Sequence, residues 1–187
     1  MDDERQTTEG ATTMTTTYES LYKTKWVEVM KRVSDEDGTY IYIQEPWLIN
    51  GEAVSVLPYK VINGQKFYIL RCEQAETLFI GTVKGGCDKE GESPLDCAIR
   101  ELYEEAGYIA QPEDMINLGT ARPSKLNTTT MHVFAVDVTN LPFEAPEGDG
   151  TLNEATAYCK WVDLSEATGA MDPMIHVSIL RLMSKVD

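Results

Sequence analysis

The sequence lacks several features that would place it in a common class of protein. None of its apolar runs approaches the roughly 18 residues that a membrane-spanning helix needs, so we expect no membrane association. Its four cysteines, Cys72, Cys87, Cys97 and Cys159, have no paired spacing, which excludes a disulfide framework and a zinc site from our expectations. Residues 1–17 have neither a basic start nor an apolar stretch, so no secretory signal is expected and the cytoplasm is the predicted location.

Positive charge is also scarce in this chain. Its 187 residues include 16 Lys and Arg against 31 Asp and Glu, a formal net charge of −15. Nucleic-acid backbones are bound by clustered Lys and Arg, so we expect no nucleic-acid partner. An acidic protein can still bind a polyphosphate when divalent cations lie between the two sets of negative charge.

The chain divides into three segments by composition. Residues 1–17 are rich in Thr and contain no aromatic side chain, so they bury too little apolar surface to fold and are predicted to be a disordered tail. Residues 18–49 contain two strand-like runs, 25–32 and 39–44, joined by a segment that ends in Asp-Gly. That pattern predicts an N-terminal antiparallel β-hairpin. Residues 50–187 form the predicted main domain.

Strands and helices are mixed in the main domain. A second hairpin is predicted over 54–62 and 65–71, around Asn63-Gly64, because this dipeptide readily takes the positive φ angles of a type I′ turn. Further strands are predicted at 77–83, 115–121, 131–138 and 158–162, and helices at 94–106 and 173–185. The strands outnumber the helices and do not alternate with them, which indicates an α+β fold.

The helix at 94–106 carries the residues of greatest chemical interest. Ser93 can cap its first turn and Gly107 can end its last. The predicted core-facing stripe consists of Leu95, Ala98, Ile99, Leu102 and Ala106. Glu101, Glu104 and Glu105 share the polar side, where carboxylates one turn apart repel each other. A hard divalent cation such as Mg²⁺ relieves this repulsion, whereas a solvated acidic face is the alternative interpretation.

The glutamates belong to a longer motif. It reads Gly86, five residues, Glu92, seven residues, Arg100-Glu101-Leu102, one residue, Glu104-Glu105, one residue, Gly107. This spacing closely resembles the Nudix box, the signature of the Nudix hydrolase family. Tyr108 stands where the family usually has a small aliphatic residue, a departure that affects packing more than chemistry.

The resemblance implies a fold and a metal site. The fold is a mixed β-sheet sandwiched between α-helices, here with the antiparallel hairpin in front of it. Glu101 and Glu105 are the expected principal ligands and catalytic residues, with Glu104 and the carbonyl of Gly85 as further ligands. Arg100, Glu92, Gly86 and Gly107 are expected to shape the loop and helix of the box. The implied cofactor is Mg²⁺, with Mn²⁺ as a substitute.

The resemblance also implies a general base outside the box. Many relatives use a glutamate of a mobile loop to activate the attacking water. Glu154, followed by Glu147, is the candidate here, because both lie in the acidic loop before the strand that contains Trp161. A solvated loop carboxylate is the alternative for each of them.

Only a few residues outside the box bear on the identity of the substrate. Pro123 stands fifteen residues beyond Tyr108, a spacing that resembles ADP-ribose pyrophosphatases of this family. The hairpin of 18–49 is similar to their N-terminal segment, which implies a homodimer. Arg71 is a candidate for binding a phosphate oxygen and Trp47 for stacking on a base, with a buried aromatic as the alternative for Trp47.

The expected reaction is therefore hydrolysis of the diphosphate bond of a small-molecule nucleotide, with ADP-ribose giving AMP and ribose 5-phosphate. Nucleoside diphosphate sugars are the alternative substrates, because the chain reads Val83-Lys84-Gly85-Gly86 where ADP-ribose pyrophosphatases often read Leu-Pro-Ala-Gly. Two further alternatives are hydrolysis of oxidised deoxynucleoside triphosphates and nucleotide sensing without catalysis.

Overall fold

The computed structural model describes residues 15–146 and 156–186. The strands in these ranges are β1 (Thr16–Lys23), β2 (Glu28–Ser34), β3 (Gly38–Gln44), β4 (Glu52–Ile62), β5 (Gln65–Gln74), β6 (Leu78–Gly81), β7 (Val83–Gly86), β8 (Met115–Ala121), β9 (Thr130–Asp137) and β10 (Tyr158–Val162). The helices are α1 (Pro94–Ala106), α2 (Leu164–Gly169) and α3 (Pro173–Val186). Within the described ranges, no helix is both long enough and apolar enough to cross a bilayer.

The N-terminal segment forms a small antiparallel sheet in the order β1-β2-β3. The predicted hairpin is confirmed as β2 and β3, and Gly38 in its turn has a φ of 79°. β1 adds a third strand that the sequence did not predict, because all its side chains are exposed and show no alternation of buried and solvated positions. This strand includes Thr16 and Thr17, which fall inside the segment 1–17 predicted to be disordered. Residues 1–14 of that segment lie outside the described ranges.

The main sheet has seven strands in the order β10-β5-β4-β9-β8, with β6 against β5 and β7 against β4. β4 and β9 are parallel, and the other pairs are antiparallel. The predicted type I′ hairpin joins β4 and β5, since Asn63 and Gly64 have φ angles of 51° and 79°. These two strands pair only from Tyr59↔Tyr68 to Ile62↔Gln65. Beyond that point they diverge, and β6 and β7 fill the space between them.

Helices cover both faces of the main sheet, so the expected α+β sandwich is confirmed. α1 packs on β4 and β7, and α3 packs on β4 and β9. Successive side chains of β4 point to opposite faces, so Val54 and Val56 join the core under α1 while Leu57 and Tyr59 join the core under α3. α2 was not predicted because its single short stretch, capped by Asp163, is too brief to show a helical period.

The small sheet is attached to the loop between β8 and β9. Ile43 of β3 donates its N–H to the carbonyl of Leu126 at 2.7 Å and accepts from the N–H of Thr128 at 3.0 Å. The hydroxyl of Tyr40 donates to the carbonyl of Lys125 at 2.8 Å. The loop that contains Pro123 is therefore fixed to the edge of the N-terminal sheet.

Candidate active site

Local signals set the ends of α1. The hydroxyl of Ser93 accepts from the N–H of Asp96 at 3.2 Å, as an N-cap does. Gly107 ends the helix with a φ of 75°, in the left-handed region that favours glycine. A Cβ at Gly107 would also lie 2.1 Å from the carbonyl oxygen of Glu144, so both its conformation and its surroundings require glycine.

The buried face of α1 differs from the predicted stripe. Its buried residues are Cys97, Ala98, Glu101, Leu102 and Ala106, while Leu95 and Ile99 are only half-buried. Glu101 was not part of the predicted core-facing stripe, yet it is buried. The reason lies in β7, where Gly85 has no side chain and Glu101 occupies the space, since a Cβ there would lie 1.8 Å from Glu101 Cδ.

Arg100 links the carboxylates of the box. Its Nε and Nη2 donate to the two carboxylate oxygens of Glu92 at 2.8 and 3.0 Å, a bidentate pair that lowers the pKa of Glu92. Its Nη1 donates to Glu101 at 2.6 Å and to Glu104 at 2.9 Å. Nη2 also approaches the carbonyl oxygen of Gly86 at 3.4 Å. One guanidinium thus ties the loop to the helix.

Glu105 lies in a more enclosed position, with only 10% of its side chain exposed. One oxygen is 3.1 Å from Nε of Arg71, and the other accepts from the N–H of Lys84 at 3.3 Å. Burial raises the pKa of Glu105 to about 8 and that of Glu101 to about 7. The negative charge of Glu101 further raises the pKa of Glu105. A cation that replaces these protons therefore binds more tightly as the pH rises through this range.

The donor set fits a hard divalent cation in its chemistry. Glu101, Glu104 and Glu105 offer carboxylate oxygens from one side of α1, and Gly85 lies directly against Glu101. Within residues 15–146 and 156–186, however, no group of three or more His, Cys, Asp or Glu is already spaced to hold a metal ion. Arg100 and Arg71 take up the carboxylate oxygens instead. Cation binding must therefore displace part of these arginine contacts.

The three residues expected to bind substrate differ in their burial and in their position relative to the carboxylates. Arg71 is buried and lines, with Glu105, Lys84 and others, a cavity of about 40 Å³, which is room for about one water molecule. Trp47 is half-buried against the box loop, since a Cβ at Gly86 would lie 2.2 Å from its ring. Pro123 is exposed on the loop between β8 and β9.

The two candidate bases, Glu147 and Glu154, lie outside the described ranges. Their role remains a prediction from the sequence. The described part of the preceding segment ends at Pro146, and the tyrosine hydroxyl of Tyr103 on α1 donates to Glu144 at 3.0 Å. The chain therefore leaves the described region beside α1.

Sequence reasoning missed several residues near the site. Trp26 lies edge-on to Trp47, with 5.8 Å between ring centroids, and is 55% exposed. Lys84 forms an ion pair with the buried Asp172 at 2.6 Å. Asp172 stands before a proline at the start of α3, a signal that predicts a helix cap. Nothing in the sequence predicts the contact with Lys84 or the pairing of the tryptophans, because both depend on the folded arrangement.

We expect Gly85→Ala to abolish cation binding at this centre. The new Cβ would overlap Glu101, whose side chain has β7 on one side and the α1 core on the other. Titration of the variant with Mn²⁺ checks this expectation by the loss of saturable binding. Gly169→Ala is the matched control, because a Cβ at Gly169 meets nothing within 4 Å. Unchanged Mn²⁺ affinity in Gly85→Ala would separate Glu101 from the metal site.

The sequence and the fold of this chain are similar to those of known proteins. A family model described as the NUDIX domain matches residues 51–183, whereas no curated protein sequence matches the chain. A crystal structure described as an ADP compounds hydrolase superposes with a TM-score of 0.63 at 19% identity, covering 96% of this chain and 99% of that one. The structure of Caenorhabditis elegans Ap4A hydrolase superposes with a TM-score of 0.51 at 18% identity, covering 73% of this chain and 98% of that one. The NUDIX domain of Shewanella oneidensis NrtR, complexed with ADP ribose, superposes with a TM-score of 0.52 at 14% identity, covering 70% of this chain and 87% of that one.

Proposed function

We propose that this chain, which belongs to the Nudix hydrolase family because the family model covers residues 51–183, hydrolyses ADP-ribose. The products would be AMP and ribose 5-phosphate, and the reaction would require Mg²⁺. Family membership confirms the sequence-based identification of a Nudix pyrophosphohydrolase. The choice of substrate and of metal goes beyond membership and rests on the residues around the box.

The observation that carries the proposal is the pair Glu101 and Glu105, whose side chains are only 11% and 10% exposed. Two carboxylates with pKa values raised to about 7 and 8 by burial have a strong preference for a counter-cation. Arg71 lies beside Glu105 and faces the same cavity. Carboxylates that hold cations next to an arginine suit a diphosphate, because the cations and the guanidinium together neutralise its charge.

Each residue has a defined part in the reaction. Glu101, Glu104 and Glu105, with the carbonyl of Gly85, would hold Mg²⁺, or Mn²⁺ in its place. When bound, the ion supplies neutralisation of the phosphate charge and activation of water. Arg71 donates to a phosphate oxygen as its contact with Glu105 loosens. For the base that takes the proton of the attacking water, we propose Glu154 or Glu147, since both are acidic residues of the segment that follows Pro146.

The adenine end of the substrate is assigned to the aromatic pair. Trp47 lies against Gly86 and Trp26 stands edge-on to it with an exposed ring, so a flat base can stack there. The exposed loop with Pro123, fixed to β3, is assigned to the distal part of the substrate. ADP-ribose in the NrtR domain and the description of the ADP compounds hydrolase support a substrate with an ADP group.

A substrate panel tests this proposal. The protein is incubated with Mg²⁺ and ADP-ribose, nucleoside diphosphate sugars, dinucleotides or oxidised deoxynucleoside triphosphates, and the products are separated by chromatography with an EDTA control. We expect AMP to be released from ADP-ribose faster than any other member is cut. Faster hydrolysis of a nucleoside diphosphate sugar would overturn the choice of substrate. Binding of nucleotides without any hydrolysis would favour the sensing alternative.

We also propose that the protein is a cytoplasmic homodimer. The small sheet exposes large apolar side chains, Tyr22 and Ile41, which suit the surface of a second copy. All four cysteines are free thiols, as expected in a reducing compartment. Sedimentation equilibrium measures the mass in solution, and a monomer at micromolar concentration would contradict the dimer.

A further inference from the structure

The strand β7 is held by a carboxylate from the opposite layer of the sandwich. Asp172 precedes α3 and is 1% exposed. One of its oxygens, Oδ2, accepts from the N–H of Thr82 at 3.1 Å and forms an ion pair with Nζ of Lys84 at 2.6 Å. The other, Oδ1, accepts from the N–H of Met174 in the first turn of α3 at 3.0 Å. Asp172 therefore ties the residues on both sides of Val83 to α3.

The divergence of β4 and β5 makes this contact possible. Thr82 connects β6 to β7 in the space where β4 and β5 diverge, so a side chain from the α3 layer can reach into the sheet there. Gly81 leaves room for the carboxylate, since a Cβ at that position would lie 2.8 Å from Asp172 Oδ2. The hydroxyls of Thr82 and Ser55 form a further buried hydrogen bond of 2.7 Å.

Capping of a helix does not by itself require such burial. Asp163 caps the neighbouring α2 by accepting from the N–H of Glu166 at 2.8 Å, and it does so on the surface. Removing a carboxylate from water is costly, and the cost is offset only when several donors surround the group. Asp172 accepts hydrogen bonds from the N–H groups of Thr82 and Met174 and forms an ion pair with Lys84, so two of its three partners belong to β7 or to the residue just before it. Its buried position is explained by β7 more than by α3.

The same stretch of β7 contacts the glutamates of the candidate metal site. Lys84 donates its backbone N–H to Glu105 at 3.3 Å. The next residue, Gly85, leaves the space that Glu101 fills. A shift of β7 along or across the sheet therefore changes the positions of both carboxylates at once.

We propose that Asp172 is a positioning residue of the metal site: through Lys84 and Thr82 it fixes β7, and β7 in turn fixes Glu105 and Glu101. This inference rests on the proposed function, because it takes Glu101, Glu104 and Glu105 to be the ligands of the cation. In this proposal Asp172 is not itself a ligand of the ion. Its contribution is to hold the main-chain groups of β7 at the spacing that cation binding needs.

Mn²⁺ affinity tests this role without any need for turnover. Unbound Mn²⁺ is measured by electron paramagnetic resonance for the wild type, Lys84→Met, Lys84→Arg and Asp172→Asn. We expect Lys84→Met and Asp172→Asn to weaken Mn²⁺ binding about tenfold, as supporting residues of metal ligands commonly do, and Lys84→Arg to restore most of it. Lys84→Met is the informative variant, because removal of a nearby positive charge would alone strengthen the binding of a cation.

Lys160→Met is the matched control for loss of an ion pair. Lys160 and Glu166 are also 2.6 Å apart, and the side chain of Lys160 is 32% exposed against 30% for Lys84. The control is expected to bind Mn²⁺ like the wild type. Unchanged or tighter Mn²⁺ binding in Lys84→Met would overturn the positioning role. Because the side chain of Lys84 is partly exposed, this variant tests the role even if Asp172→Asn fails to fold.

The outcome also separates this inference from the proposed function. A wild-type protein that binds Mn²⁺ but cuts no member of the substrate panel refutes the function, while the ratio of Mn²⁺ affinities still decides the role of Asp172. A wild-type protein that binds no Mn²⁺ refutes both. Full activity on ADP-ribose together with equal Mn²⁺ affinity in all variants refutes the positioning role alone.

Discussion

Glu105→Gln is expected to reduce magnesium-dependent turnover on the order of a thousandfold, through loss of charge stabilisation at the reacting phosphate. Glutamine has nearly the same shape as glutamate and retains an oxygen that can accept from the N–H of Lys84. It has no negative charge, so it binds a cation poorly. Arg71 keeps a second carboxylate, Glu73, at 3.8 Å. The fold should therefore survive while the chemistry is lost.

Initial rates at increasing Mg²⁺ concentration measure this effect, and circular dichroism with thermal melting checks the fold. Glu166→Gln serves as the control, because Glu166 is an exposed carboxylate that pairs with Lys160 away from the box. It should leave the rate unchanged. Near-normal turnover by Glu105→Gln, with the same dependence on Mg²⁺, would remove Glu105 from the metal site.

Arg100→Leu is expected to cause the largest loss of stability among single substitutions in the box, about 3–5 kcal/mol in the free energy of unfolding. The variant leaves the carboxylates of Glu92 and Glu101, whose side chains are 12% and 11% exposed, without the guanidinium between them. The contact with the carbonyl of Gly86 is lost as well. Arg100→Lys should give an intermediate loss, since an ammonium cannot form the bidentate pair with Glu92.

Urea denaturation in EDTA measures these losses without interference from bound cations. Arg32→Leu is the comparison variant, because Arg32 pairs with Asp37 at 2.5 Å on the exposed hairpin of the small sheet. An exposed pair of this kind contributes little to stability, because water and salt screen its charges. If Arg100→Leu and Arg32→Leu lowered stability equally, Arg100 would not be the link that holds the loop to the helix.

The parts of the fold that sequence reasoning predicted are those determined by neighbouring residues. Ser93 and Gly107 mark the ends of α1 through capping and a positive φ, and both effects act within one turn. Asn63-Gly64 predicts its hairpin for the same reason. The box residues of α1 and its preceding loop are likewise close in sequence, so their spacing alone indicates that they meet.

The parts that sequence reasoning did not predict depend on contacts between distant segments. Glu101 is buried because Gly85 of β7 leaves space for it, and a helical period alone assigns a carboxylate to the solvated side. Trp26 and Trp47 meet only when the small sheet docks on the box loop. Asp172 reaches Lys84 where β4 and β5 diverge, and no local pattern indicates this contact.

Hydrolysis in water enriched in ¹⁸O tests the central claim most directly, namely that the acidic face of α1 supports cation-dependent attack of water on a diphosphate. The wild type is incubated with ADP-ribose in the presence of Mg²⁺ or EDTA, and the products are analysed by mass spectrometry. AMP and ribose 5-phosphate are expected only with Mg²⁺, with one ¹⁸O atom in one of the two products. Products formed equally in EDTA, or formed without ¹⁸O, would contradict cation-dependent attack of water.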